Sequence, residues 1–171
     1  KINVDFYCFG PKYDFSKVES SKSYCRTIMS KYEMGKYSPE HVIFDMKKNN
    51  QSNMHLIFNC VEYLHKLDNK NGFVIKNDSL CGGKGVFVSN DHVNLELAIT
   101  KCKRFFENGQ NFLIEEKLTG QEFSLMTLTD GISSKHFPVA VDFKRAYEKD
   151  KGPNTGGMGS ICFSNNNVPF L

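Results

Sequence analysis

The stretch VIKNDSLCGGKGVFVS, from Val74 to Ser89, sets two short runs rich in valine and phenylalanine on either side of a loop with three glycines, a cysteine and a lysine. Runs of that length and type are strands, and the loop joins them as an antiparallel hairpin. Glycines let the backbone approach an anion closely and turn its N–H groups inward, while Lys84 adds a mobile positive charge suited to a phosphate. The loop is not a P-loop, because the GxxxxGK[ST] spacing is absent. It is not a dinucleotide fingerprint either, since it lies between two strands instead of opening a helix. A glycine-rich hairpin over ATP phosphates, with Lys76 at the end of the preceding strand, is an arrangement some kinases use. By itself the loop is explained equally well as an exposed hairpin with an ordinary surface lysine.

A second segment shifts that balance. In FLIEEKLTGQEFS a strand ends in Glu115 and Glu116, a short turn follows, and then comes Glu122. Such an edge offers backbone groups to an adenine and a carboxylate to ribose hydroxyls. Taken singly, the two glutamates read as a solvated strand end. Taken with the lysine loop, they form the second side of a nucleotide slot.

The rest of the chain reads as a mixture of helices and strands. An opening strand is expected in INVDFYCF. The Ser16 to Glu19 spacing of a capping box predicts a helix with Cys25, Ile28, Met29 and Tyr32 on one face, ended by Gly35. A short strand is expected at His41 to Phe44, then a polar loop, then a helix from Met54 to about Leu67. Asp91 is expected to cap a third helix with Leu95, Ala98 and Cys102 inward, stopped at Asn108 and Gly109. From Asn111 onward the pattern is mainly β, in FLIEE, EFSLMTLTD and KHFPVAVDF. The glycine-rich EKDKGPNTGGMGS reads as a loop with special backbone angles. Together these predict α+β lobes rather than a doubly wound sheet.

Composition narrows the function classes. Twenty-two basic against nineteen acidic residues give a net charge of +3, spread along the chain. That argues for a mixed solvated surface and against nucleic acid. No apolar run reaches eighteen residues, so no membrane span is expected, and nothing resembles a signal peptide. Six scattered cysteines with no CxxC pair predict reduced thiols in a cytoplasmic protein.

Four blocks resemble the glycinamide ribonucleotide synthetase family, also called phosphoribosylamine–glycine ligases, of the ATP-grasp superfamily. FGPKYDFSKVESSKSYCRTIMSKY is similar to that family's FGP and E-G-S-K helix, VIKNDSLCGGKGV to its V-K-A-D-G-L-A-A-G-K-G-V loop, and LIEEKLTGQEFS to its I-E-E-x-L-x-G-E-E-x-S hinge. The fourth, DFKRAYEKDKGPNTGGMGS, is the most specific, because GPNTGGMG follows a D-H-K-R-like element. The blocks run in family order from Phe9 almost to the C-terminus.

The resemblance implies a partial ATP-grasp fold: residues 1–72 as the start of the core, 73–130 as the small lid lobe with glycine loop and hinge, and 131–171 as a return to the core carrying the substrate loop. It implies ligation of glycine to phosphoribosylamine with ATP and magnesium as cofactors, in purine synthesis, with fusion to other purine-synthesis domains left open. Lys22, Lys76 and Lys84 match the family's nucleotide-contacting lysines, with Gly83 and Gly85 as further cofactor-binding positions. Glu115, Lys117 and Leu118 match the adenine hinge, and Glu122 the ribose carboxylate. Lys144 and Arg145, as catalytic positions, and Asp142, Asn154, Gly156, Gly157, Met158 and Gly159, as substrate-binding ones, match the segments that face the acyl phosphate and phosphoribosylamine. Departures are Phe143 for a family histidine, Ser79 for a loop glycine, Cys81 and Gly82 for alanines, and Gln121 for the first Glu of its pair. The family's magnesium-binding E-F-N-x-R-F-G-D-P-E element does not occur in these residues, so the chain is expected to be an internal fragment whose metal ligands lie elsewhere. Another ATP-grasp ligase and a non-catalytic nucleotide-binding module remain as alternatives.

Overall fold

Four short strands, β1 (His41–Phe44), β2 (Phe73–Asn77), β3 (Val86–Val88) and β4 (Phe112–Glu116), form one sheet in the order β1-β4-β2-β3, with every pairing antiparallel. The structure is a computed structural model that describes residues 10–47, 52–79, 85–149 and 151–163. The expected opening strand and the loop residues Cys81, Gly82, Gly83 and Lys84 lie outside the described residues.

Side chains alternate across a strand, so register decides which face each residue joins. Phe44, Phe73, Ile75, Phe112 and Ile114 share one face, and all are buried. Helices α3 (Asn53–Asp68) and α4 (Leu95–Glu107) cover that face with Leu56, Cys60, Leu64 and Leu67 from one and Ala98, Cys102 and Phe106 from the other. Phe44 stacks on Phe112 at 4.8 Å, and Phe106 meets both edge-on. Each such ring pair contributes about 1 kcal/mol beyond its burial. The opposite face carries His41, Ile43, Val74, Lys76, Leu113 and Glu115. Expected and observed boundaries agree closely for β1, β2, β4 and α3.

The first helix departs from expectation. It is two helices, α1 (Tyr13–Ser20) and α2 (Lys22–Lys31), broken at Ser21. Ser16 lies inside α1, where its Oγ donates to the Tyr13 carbonyl at 2.6 Å, a local bond that takes it out of any capping role. Ser21 does the capping instead, accepting from the Tyr24 N–H. Gly35 does not end α2. Glu33 takes the left-handed turn at φ 58°, and the Met34 and Glu33 N–H groups return to the Met29 and Ser30 carbonyls, a Schellman closure.

Asp91 likewise does not cap α4. Asn94 does, with Oδ1 accepting from the Leu97 N–H at 2.9 Å, because the chain stays irregular through the buried Val93 and its bridge to Ser89.

Two further hairpins follow, β5 (Thr127–Thr129) with β6 (Ser134–His136), and β7 (Ala140–Tyr147) with β8 (Lys151–Cys162). The strand expected in EFSLMTLTD shrinks to β5 plus a bridge from Ser124 to Ala140. The segment GPNTGGMG, expected as a loop, is a strand. Its special backbone angles are real, at Gly152, Gly157 and Gly159, and β7 and β8 shift register on either side of Arg145. Irregularities within a pair bend the strand without releasing it.

Candidate nucleotide site

Lys76 pairs across the sheet with Leu113, which puts Glu115 two residues along β4 on the same face, within reach of a long side chain. Glu115 is 1% exposed. Arg26, from α2, donates Nε to its Oε1 at 2.6 Å, and Lys76 Nζ pairs with its Oε2. Burial alone would push the Glu115 carboxyl up, but the Arg26 and Lys76 cations outweigh it and hold the carboxyl below its ordinary value. Both oxygens are therefore engaged by protein cations. The Glu115 side chain is thus occupied within the protein and holds Lys76. Arg26 was not among the sequence candidates. Its signal was its place four residues after Lys22, on the same face of one helix.

At the loop end of β2, Lys22 Nζ donates to the carbonyls of Asn77 and Ser79, at 2.9 Å each. Ser21 Oγ and the Ser23 N–H both donate to Asp78, which ties the first turn of α2 to the start of the glycine loop. The buried Gly85 closes the other side of the loop, its carbonyl accepting from the Asn77 N–H. Lys22, Lys76 and Gly85 thus stand at the mouth of the loop. Gly83 and Lys84 lie outside the described residues.

The opposite end of β2 gathers a second group. The Lys117 N–H donates to the Gly72 carbonyl at 3.0 Å, and its Nζ donates to the Ser89 carbonyl at 3.1 Å. Beyond it Leu118 is 66% exposed, and Glu122 is exposed too. Arg145 reaches this end from β7. It pairs with Asp91, donates to the Gly152 carbonyl at 2.7 Å, and lies 2.7 Å from His92 Nε2. Five residues of strand span about 13 Å from first Cα to last, so Arg145 stands well away from the glycine loop.

On the β7–β8 hairpin Asn154 faces Arg145, and Phe143 faces Gly159. Asp142, Lys144, Gly156, Gly157, Met158 and Gly159 are exposed there. Thr155 bridges this segment by donating to the Lys144 carbonyl and accepting from the Gly157 N–H.

Among the described residues no three His, Cys, Asp or Glu side chains are grouped to hold a metal ion. Asp78, the carboxylate at the loop mouth, is already bonded to Ser21 and Ser23. The described residues do not fit a magnesium site on their own. Among them no helix is long and apolar enough to cross a membrane.

This geometry has known counterparts. The family model for the phosphoribosylglycinamide synthetase ATP-grasp (A) domain matches residues 20–170. A phosphoribosylamine–glycine ligase of Methanoregula boonei is 33% identical over 164 residues, covering 96% of this chain and 35% of that protein. The bifunctional purine biosynthetic protein of Saccharomyces cerevisiae is 35% identical over 164 residues, covering 94% of this chain and 19% of that one. The crystal structure of the phosphoribosylamine–glycine ligase of Thermotoga maritima matches with a TM-score of 0.71 at 28% identity, over 89% of this chain and 36% of that chain. The chain spans about a third of the length of the single-function ligases it matches.

Proposed function

Because this chain belongs to the phosphoribosylglycinamide synthetase family, in its ATP-grasp domain, we propose that it forms part of an enzyme that joins glycine to 5-phosphoribosylamine with cleavage of ATP. The observation that carries the reading is Lys76, pinned by the buried Glu115 on the sheet face that α3 and α4 leave uncovered, beside Lys22 at the mouth of the glycine loop. Cations held in advance at that place suit the phosphates of a nucleotide.

In the proposed reaction a glycine carboxylate oxygen attacks the γ-phosphorus of ATP, the bond to the β-phosphate oxygen breaks, and glycyl phosphate and ADP result. The amine of phosphoribosylamine then attacks the glycyl carbonyl carbon. Phosphate leaves, the amine gives up a proton, and the amide of glycinamide ribonucleotide is formed. Lys22, Lys76 and Lys84 bind the ATP phosphates, with the backbone of Gly83 and Gly85 lining the loop. The backbone from Glu115 to Leu118 meets adenine, and Glu122 the ribose. Lys144 and Arg145 neutralise charge on the acyl phosphate and meet phosphoribosylamine, together with Asp142, Asn154 and the Gly156, Gly157, Met158, Gly159 run. Magnesium, when bound, would screen the phosphate charge, with ligands that the described residues alone do not supply.

The lid lobe of this enzyme is assigned to residues 73–130, and β1, from the preceding segment, pairs with its strand β4. The enzyme works in the cytoplasm, in purine synthesis, and can be fused to a second purine enzyme as its yeast relative's name describes.

The test is ADP release by the native polypeptide that carries this chain, supplied with MgATP, glycine and phosphoribosylamine. Release that needs both glycine and phosphoribosylamine is the expected result. Release with a different carboxylate and amine would assign another ATP-grasp ligation. MgATP binding without turnover would leave a nucleotide-binding module in place of a ligase.

A further inference from the structure

Lys76 is central in its sheet, between β3 and β4, and its four-carbon stem would sample many rotamers if left free. Fixing such a side chain costs conformational entropy, which weakens any ligand that has to order it on arrival. Here Glu115 orders it before a ligand comes, holding Nζ on Oε2. A carboxylate with one partner can still swing about its own side-chain bonds. Glu115 has a second partner, Arg26, on its other oxygen. Arg26 is itself held, because the first turn of α2 is bonded to Asp78 through Ser21 and Ser23. A rigid path therefore runs from the start of the glycine loop, through α2 and Glu115, to the Lys76 ammonium.

We infer that Arg26 is a positioning residue: acting through Glu115, it fixes Lys76 in the orientation in which the ammonium meets the phosphates of a nucleoside triphosphate. The inference rests on the proposed nucleotide reading. Two cations share one carboxylate, so one positive charge is left over on this face, with Lys22 nearby. A surplus of that sign favours a phosphate anion. Arg26 is mostly covered and turns Nη1 toward Met29 Sδ on its own helix, so its guanidinium acts on Glu115 and not on the ligand directly.

The experiment compares the native polypeptide carrying this chain with its Arg26→Gln and Arg26→Lys variants, by steady-state kinetics in MgATP and by titration with MgATP. Arg26→Gln is expected to raise KM for ATP and the MgATP dissociation constant about tenfold, with a smaller change in kcat, because binding of the phosphates is lost rather than the chemical step. Arg26→Lys, which keeps the cation, is expected to restore most of the affinity. A kcat loss at unchanged KM, or equal affinity in Arg26→Gln and the unaltered protein, would overturn the inference. Should Arg26→Gln leave Glu115 too poorly matched to fold, the double variant Arg26→Gln with Glu115→Gln removes the buried charge and still frees Lys76. It is expected to show the same loss, and unaltered affinity there would equally refute the role. Failure of the unaltered protein to bind MgATP would overturn the nucleotide reading and this inference with it. Binding that none of the variants changes would overturn this inference alone.

Discussion

Glu115 links the stability of the sheet to the charge of the site. Its carboxylate is buried between Arg26 and Lys76, and truncating one member of such a group leaves an uncompensated buried charge, at a cost of about 3–5 kcal/mol. Glu115→Gln is accordingly expected to cost stability of that order at neutral pH, read as a fall in the urea midpoint. The pH dependence has a definite sign. A carboxyl whose folded value lies below its unfolded value contributes stability that is complete above the unfolded value and is lost as pH falls through the folded one. The protein should therefore lose stability on acidification below about pH 4.5, the ordinary glutamate range. Glu115→Gln should flatten that part of the profile, as denaturation at a series of pH values would show; an unchanged acid slope would refute the role given to Glu115.

Among the elements, the turns carry the sharpest consequences. Gly72 has φ +96°, and a Cβ there would meet Ser89 Oγ at 2.2 Å. That hydroxyl accepts from the Phe73 N–H, so it has little freedom to move away. Gly72→Ala is expected to cost about 1–3 kcal/mol, read as a shift in urea midpoint, and to disturb Lys117, whose N–H bonds the Gly72 carbonyl. The cap of α4 gives a paired prediction. Asn94→Ala should cost about 1 kcal/mol of stability. Asp91→Ala should leave α4 intact by circular dichroism while weakening the tie between Arg145 and the turn after β3. If Asp91→Ala reduced helicity as much as Asn94→Ala, the cap would belong to Asp91 after all.

At the scale of the whole molecule the candidate residues fall into two groups at opposite ends of β2. Lys22, Lys76 and Glu115 surround the loop end, whereas Arg145 and the Gly152 carbonyl stand by Asp91 and His92 at the other. Under the proposed function the loop end holds the phosphates, and the far end carries both the Lys117–Leu118 hinge and Arg145, the residue assigned to the second substrate. Arg145→Ala in the native polypeptide is thus expected to raise KM for phosphoribosylamine more than tenfold, with little change in MgATP affinity. The reverse order would reject the assignment of Arg145 to the second substrate. Loss of both together would mean that Arg145 acts by docking the β7–β8 hairpin.

The sequence by itself determined what depends on neighbours along the chain: the valine- and phenylalanine-rich strands around a glycine loop, the helix at Met54 to Leu67, and Lys76 at the end of the strand before that loop. Those are properties of local pattern and propensity, and motif order was enough to bring out the family resemblance. The tertiary structure decided whatever depends on partners far away. Asp78 draws Ser21 and Ser23 to itself and so splits one expected helix into two. Arg145 claims Asp91, which the sequence would have made a helix cap. Pairing with β7 turns GPNTGGMG into a bulged strand, since backbone groups that find a ladder do not stay in a loop. Arg26 and Lys76, fifty residues apart, converge on Glu115 only when the sheet forms and α2 settles against it, because a buried carboxylate is stable only where its counter-charges arrive with it.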